Sequence, residues 1–177
     1  MNKHSRITSN VFRLAVLALA MAGAGSAMAA DGTATTSGTV VKPIAVAGVA
    51  DLVFGSFAAG TALGSVTIST SGARTSTNVT LVGDERGAAQ FDVTGTANLN
   101  YTFSLAGTTL TGPGGATMTF LPVSDLSGGG AISGAVTGGT LNASGEQSVF
   151  VGGVLTVGSS QAPGDYTGEL TATVAYE

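Results

Sequence analysis

The C-terminal stretch "DYTGELTATVAYE" (Asp165–Glu177) alternates between two kinds of side chain. Successive side chains of an extended chain point to opposite faces. One face of this stretch carries its apolar and aromatic members: Tyr166, Gly168, Leu170, Ala172, Val174 and Tyr176. The other face carries mainly threonines and Glu169. This period of two predicts a half-buried β-strand. Because chain termini usually fray, we expect a partner to hold this strand in place.

Other short runs rich in β-branched and aromatic residues lie between clusters of Gly, Ser, Asn and Asp. They are Thr39–Ala47, Gly64–Thr70, Asn78–Val82, Ala89–Gly95, Leu99–Leu105, Ala116–Val123 and Ser148–Val157. Many short strands at near-regular spacing are typical of a sandwich or a barrel. Phe91 and Val93 share one face of their run, which fits antiparallel sheets with one face on a core. The sequence therefore predicts an all-β antiparallel fold.

Three local features refine this prediction. Pro43 lies inside the first run, and proline within a strand indicates an edge strand or a switch between sheets. Gly152 and Gly153 interrupt the longest run, which indicates a bulge or a bend. The glycine-rich segment Ser127–Gly139 is either a flexible loop or a weak hairpin.

The N-terminus has the three parts of a secretory signal peptide. An apolar segment, Leu14–Ala24, precedes a small-x-small cleavage site at Ala27-Met28-Ala29. The segment before it is basic and carries Lys3, Arg6 and Arg13. The apolar segment is shorter than the roughly 20 residues of a membrane-spanning helix. We therefore expect an exported protein without a membrane span: signal peptide 1–29, a flexible extension 30–38 and a single domain 39–177.

Charge and composition after cleavage exclude several functions. Three of the six basic residues leave with the signal peptide while all ten acidic residues stay, so the net charge becomes 3 − 10 = −7. A nucleic acid or an anionic membrane surface needs a basic patch, so neither is an expected partner. The chain has no cysteine, and its one histidine, His4, lies in the predicted signal peptide. Stability must come from strand pairing and core burial rather than from disulfides.

No residue pattern predicts catalysis. General acid–base and nucleophilic catalysis most often use His or Cys, and neither is left after cleavage. The tight acidic cluster Gly83–Gly87, "GDERG", is flanked by glycines and indicates an exposed turn rather than a catalytic pair. The glycine-rich loops lack the lysine of a phosphate-binding loop, and no zinc or EF-hand spacing occurs. We expect no enzyme activity, no catalytic residue, no cofactor and no metal site.

One longer stretch, Val40–Gly60, contains a "PIA" strand followed by "DLVFGSF". It resembles a family of small exported bacterial proteins that is known as a domain of unknown function, DUF4402. Further segments fit the same family pattern and extend the resemblance over nearly the whole chain after the signal peptide: Gly64–Arg74 with its "GAR", Ala88–Gly95, Tyr101–Leu105 and Phe150–Tyr176.

That family is in turn similar to subunits of chaperone–usher fimbriae of Gram-negative bacteria, including the spore-coat-protein-U type with its L-x-F-G signature. The resemblance implies an immunoglobulin-like β-sandwich that lacks its last strand. It also implies cell adhesion at the surface, a periplasmic chaperone and an outer-membrane usher as partners, and strand exchange between neighbouring copies or related subunits.

Two sets of site residues follow from this resemblance. The groove that receives the partner strand would be lined by Gly164, Tyr166, Leu170, Val174 and Tyr176. The donor extension would carry Ala34, Thr36, Val40 and Val41. The fimbria-like structural subunit is thus the leading hypothesis.

Two alternatives stay open at this stage. The C-terminal residues are either the groove of an incomplete sandwich or ordinary core residues of a complete one. The protein is alternatively a monomeric secreted or periplasmic binding module for a carbohydrate or a protein. The absence of tryptophan argues against a sugar-stacking platform.

Overall fold

Antiparallel strands make up the regular structure of residues 28–177, the part of the chain that this computed structural model describes. The predicted signal peptide, except Met28 and Ala29, lies outside the described residues. The strands are β1 (Ala45–Ala50), β2 (Ser56–Ala59), β3 (Gly64–Ile68), β4 (Arg74–Thr77), β5 (Val79–Val82), β6 (Ala89–Thr94), β7 (Asn100–Ala106), β8 (Thr109–Thr111), β9 (Thr117–Asp125), β10 (Gly138–Thr140), β11 (Glu146–Val157) and β12 (Thr171–Tyr176). The predicted all-β antiparallel fold is confirmed.

The strands form one curled arrangement that can be followed from edge to edge. The first sheet has the order β1-β6-β11-β3-β4, with β9 on the other side of β11 and β8 paired to β9. The second sheet has the order β10-β7-β12, and a small third sheet pairs β2 with β5. β8 follows directly after β7, and a bridge joins Thr111 in β8 to Thr167. The sheets therefore curl into a half-barrel in which β1 and β12 are both edge strands.

β11 is the central strand because it pairs along both of its edges. Its first half pairs with β6 and its second half with β3, while β9 covers the opposite edge. The change of partner occurs at Gly152, where a Cβ would lie 2.1 Å from the carbonyl oxygen of Ile68. Pairing with β9 continues through the glycine pair in unbroken register. At the glycine pair, where the sequence predicts a bulge or a bend, one edge of β11 thus changes its partner from β6 to β3 while the other edge stays paired with β9.

The interior consists of two apolar clusters built from alternate residues of these strands. The first contains Ala89, Phe91, Val93, Tyr101, Phe103, Leu141, Val149 and Val151. The second contains Phe54, Val66, Ile68, Met118, Phe120, Leu155 and Val157. Aromatic edge-to-face pairs lie in both clusters, with ring centroids 6.4 Å apart for Phe91–Phe103 and 5.6 Å for Phe54–Phe120.

The two terminal strands begin later than the sequence predicts. The first predicted run starts at Thr39, whereas β1 starts at Ala45, so Pro43 precedes the strand instead of lying inside it. β1 is nevertheless an edge strand, since it pairs only with β6. The last predicted strand starts at Asp165, whereas β12 starts at Thr171. Before β12, a single bridge joins Thr167 to Thr111 of β8.

The glycine-rich loop after β9 is anchored by Asp125. Its carboxylate accepts hydrogen bonds from Thr70 Oγ1 (2.5 Å) and from the backbone N–H groups of Ser127 (2.9 Å), Gly128 (2.5 Å) and Gly129 (3.1 Å). Burial opposes ionisation of this carboxyl, but the hydrogen bonds from Thr70 and the three N–H groups outweigh it and lower the pKa of Asp125. The loop therefore starts from a fixed geometry and ends in β10.

Residues 28–39 form a unit separate from residues 40–177. They contain no regular secondary structure, and every one of them is exposed. Within the described part of the chain, no helix is long and apolar enough to cross a membrane.

Candidate functional site

Two sheet edges lie next to each other without pairing. β1 is hydrogen-bonded only to β6, and β12 only to β7. The two strands approach each other and run in opposite directions, because Tyr176 at the end of β12 meets Lys42 just before β1. Between residues 28 and 177, no backbone ladder joins them. We call the gap between β1 with residues 51–59 and residues 160–170 with β12 the seam.

A single side chain closes the narrow end of the seam. Tyr176 Oη donates a hydrogen bond to the carbonyl oxygen of Lys42 and accepts one from the N–H of Thr96, both at 2.7 Å. The N–H of Lys42 in turn donates to Thr96 Oγ1 at 2.7 Å. These bonds hold the residues immediately before β1 against the end of β12.

The opposite end of the seam widens into a cleft of about 1280 Å³. Apolar side chains from distant parts of the chain form its floor: Phe54, Phe91, Leu110, Met118, Phe120, Leu155 and Leu170. Most of these side chains belong to the two core clusters. The interior of the protein therefore reaches the surface at this end of the seam.

The inward face of β12 is only half covered. Ala172, Val174 and Tyr176 pack against the first core cluster but remain half-buried, while their outward neighbours are exposed. By contrast, the inward residues Val149 and Val151 of β11 are fully buried. The alternation that the sequence predicts is confirmed, and the burial is incomplete because no strand covers the seam side of β12.

Arg74 fixes the wall of the cleft that follows β1. Its guanidinium donates to the carbonyl oxygens of Phe54 (3.1 Å), Glu85 (3.2 Å) and Ser56 (3.5 Å), and also to that of Gly83. This close approach requires a glycine between Phe54 and Ser56. Gly55 has φ +73°, and a Cβ there would lie 2.2 Å from Arg74 Nη1.

The opposite wall is a loop with its own hydrogen bonds. Gln161 Nε2 donates to Tyr166 Oη at 2.8 Å, and Tyr166 Oη donates to the carbonyl oxygen of Ala162 at 2.8 Å. Gln161 Oε1 also accepts the N–H of Gly158 at 3.2 Å. Gly164 packs so closely on Pro113 that a Cβ would lie 2.3 Å from its ring.

The structure places the predicted groove residues along one line but not in one pocket. Gly164, Tyr166 and Leu170 line the cleft at the wide end. Val174 lies further along β12, and Tyr176 closes the narrow end. All five therefore border the seam.

The predicted donor residues do not line the cleft. Ala34 and Thr36 belong to the exposed segment before residue 40. Val40 is 98% exposed and Val41 43% exposed, although both are apolar. Their role as a donor stays a prediction.

The sequence interpretation missed the cleft floor, which is assembled from strands far apart in the chain. One signal was available, because "DLVFGSF" supplies Leu52, Phe54 and Phe57 to this region. The "GAR" segment supplies Arg74, which binds the carbonyl groups of the same stretch. Two segments that carry the family resemblance thus meet at one wall of the cleft.

The fold and the seam define an all-β antiparallel protein with two unpaired edges beside an apolar cleft. The chain belongs to the family described as "Domain of unknown function (DUF4402)", whose model matches residues 44–176. This match includes every strand from β1 to β12. No curated protein matches the chain, and no solved structure matches it.

Proposed function

We propose that the protein is an exported, non-enzymatic structural subunit that assembles at the bacterial cell surface by β-strand donation. A strand from a neighbouring copy or a related subunit would enter the seam and pair with β1 and β12. Before assembly, a periplasmic chaperone would cover the seam, and an outer-membrane usher would export the subunit. The fimbria-like and adhesive parts of this proposal rest on the resemblance.

The observation that carries the proposal is the pair of unpaired edges beside an apolar cleft. An unpaired edge presents a row of N–H and C=O groups that can bind another strand. Strand addition uses those groups for affinity and alternate side-chain pockets for specificity. One inserted strand would complete both ladders and cover the half-buried residues of β12.

The size of the cleft favours an extended polypeptide over a small ligand. Its volume of about 1280 Å³ exceeds the roughly 300–1000 Å³ of most small-molecule sites. It also opens along the seam instead of forming a closed chamber. A strand laid between the end of β1 and residues 160–170 would use the whole length of this opening.

The exposed segment before β1 is the part of the chain that could be donated. Residues 28–39 of this segment contain no regular secondary structure and are exposed, whereas Lys42 is hydrogen-bonded to Thr96 and Tyr176. Ala34, Thr36, Val40 and Val41 are its apolar and β-branched members at the predicted donor positions. A subunit of this kind would accept one strand at its seam and offer another.

The proposal is tested by unboiled denaturing gels of cells that export the full chain. We expect a ladder of stable oligomers that collapses on boiling. Val174→Lys places a charge on the seam side of β12 and should abolish the ladder, whereas Thr173→Lys on the outward side should retain it. A strictly monomeric wild-type protein at the cell surface would refute the proposal, and so would an undiminished ladder from well-folded Val174→Lys.

A second candidate is a monomeric binding module for a carbohydrate or a protein. The feature that favours it is again the cleft, since its walls carry Tyr166 and Gln161 as polar groups beside apolar ones. Binding of purified monomer to a glycan array, without any oligomer ladder in cells, would favour this function over the first.

A further inference from the structure

The wide end of the seam combines an apolar floor with an acidic rim. Asp51 follows β1 on one wall, while Asp165 and Glu169 lie on the other, and all three are exposed. Within the described chain, no Lys or Arg lines the cleft. The nearest guanidinium, that of Arg74, lies behind the first wall and is held by backbone carbonyls. A segment that binds here therefore meets apolar surface below and negative charge at the sides.

The chain's own extension is a poor match for this surface. Residues 30–43, "ADGTATTSGTVVKP", contain small side chains apart from the two valines, Lys42 and Pro43. Val40 and Val41 are consecutive, so in a strand only one of them can face the floor. Asp31 would add a further negative charge, while the one basic residue, Lys42, is already held through its backbone at the narrow end of the seam. The extension would thus leave most of the cleft volume unfilled.

We propose that the seam accepts a strand of a different polypeptide, one that carries bulky apolar or aromatic side chains at alternate positions with Lys or Arg beside them. This inference rests on the proposed strand addition and names the partner. Alternate large side chains would fill the space above Phe54, Phe91 and Phe120. The intervening or flanking basic residues would reach the rim carboxylates, where charge-assisted hydrogen bonds are stronger than neutral ones.

The attraction between the basic residues of the bound strand and the rim carboxylates predicts that binding depends on salt concentration. The electrostatic screening length is about 8 Å at physiological ionic strength and about 3 Å at 1 M, and exposed charges farther apart than this length interact little. The preference for basic flanks should therefore weaken in concentrated salt. Binding that depends on the apolar side chains should persist, because the hydrophobic contribution does not rely on charge.

The experiment measures binding of synthetic peptides to processed protein, residues 30–177, by isothermal titration. One probe alternates Phe and Ile with Ser and has Lys flanks, and a second has the same apolar residues with Glu flanks. A third replaces Phe and Ile by Ala, and a fourth is the chain's own 30–43 segment. We expect the first probe to bind about tenfold more tightly than each of the others.

Matched variants locate the charge effect. Asp51→Asn combined with Asp165→Asn and Glu169→Gln should remove the preference for Lys over Glu flanks. A control removes three negative charges elsewhere through Asp31→Asn, Asp84→Asn and Glu146→Gln, and it should keep the preference. Both variants change the net charge equally, so a difference between them reports the rim alone.

The outcomes separate this inference from the proposed function. Equal or tighter binding of the 30–43 peptide would overturn the inference and make a second copy the occupant, while strand addition itself would survive. Equal binding of Lys-flanked and Glu-flanked probes would also overturn it. Oligomer ladders in cells with no binding of any probe would refute the partner chemistry but not the assembly.

Discussion

Two regions of the molecule, the closed wall and the seam, have the same alternating sequence pattern but reach different degrees of burial. On the closed wall, formed by β3, β6, β9 and β11, inward residues such as Val66, Val93 and Val151 are completely buried. On the seam, the inward residues Val174 and Tyr176 of β12 are half-buried. Alternation alone therefore sets which side chains face the core, whereas strand neighbours set how far water is excluded.

This difference separates residues that serve folding from residues that an added strand would cover under the proposed function. β11 has strands on both edges, so its backbone groups and inward side chains are satisfied within the chain. β12 has one neighbour, and its other edge is unpaired within the described residues. Changes on the closed wall should destabilise the free protein most, and changes on the seam should act most strongly on assembly.

The largest expected effect is a pair of aliphatic truncations, one on each region. Ile68→Ala leaves a cavity in the closed wall and should lower the free energy of unfolding by about 3–4 kcal/mol. Leu170→Ala, at the half-buried seam, should lower it by about 1 kcal/mol. Urea denaturation of residues 30–177 measures both. Equal losses would contradict the division into a closed wall and a seam.

Next in size is the loss of the guanidinium that fixes one wall of the cleft. Arg74→Ala removes the donors to four carbonyl groups and should cost about 2 kcal/mol. It should also speed hydrogen exchange at Val53, whose N–H bonds to Gly87 at 2.9 Å. Arg86→Ala is the control, because its ion pair with Asp84 is exposed and should contribute nothing measurable. Unchanged exchange at Val53 would refute the role of Arg74.

A smaller effect compares two tyrosines in paired positions of β7 and β12. Tyr176→Phe loses the two hydrogen bonds that close the narrow end of the seam and should cost about 1 kcal/mol. Tyr101→Phe should be neutral or stabilising, because Tyr101 Oη is buried without a partner, and burial raises its pKa. Thermal unfolding of both variants measures the contrast. A larger loss from Tyr101→Phe would contradict it.

The smallest effect concerns the anchored loop beside the closed wall. The pKa of Asp125 is lowered in the folded protein, so its carboxylate stabilises the fold above the ordinary aspartate value of about 3.9. That contribution should disappear as the pH falls through the folded-state pKa. Asp125→Asn should therefore lose up to about 1 kcal/mol relative to wild type near pH 6 and much less near pH 2. An equal difference at both pH values would show that ionisation is not involved.

The longer strands could be predicted because their own side chains alternate. The runs that became β3, β6, β7, β9 and β11 all contain β-branched or aromatic residues at a period of two. The strands β2, β4, β8 and β10 were missed. β4 reads "RTST" and β10 reads "GGT", and neither contains an apolar residue. These strands form because a neighbouring strand, β3 for β4 and β7 for β10, supplies backbone groups for pairing. No local sequence pattern reveals such a neighbour.

The seam could be predicted in part. The C-terminal alternation identified Leu170, Val174 and Tyr176 as inward-facing, which the structure bears out. The cleft could not be predicted, since its floor joins Phe54, Phe91, Phe120 and Leu155 through tertiary contacts. The role of Tyr176 was also hidden, because its partners Lys42 and Thr96 lie far away in the sequence.

Hydrogen exchange of β1 and β12 tests the open seam most directly. In the free protein, amides of β11 should be strongly protected, while the edge amides of β1 and β12 that face the seam should exchange rapidly. In the assembled form, or with the Lys-flanked peptide bound, the same edge amides should become protected while β11 stays unchanged. Full protection of both edges in the free protein, or no added protection after assembly, would contradict strand addition at the seam.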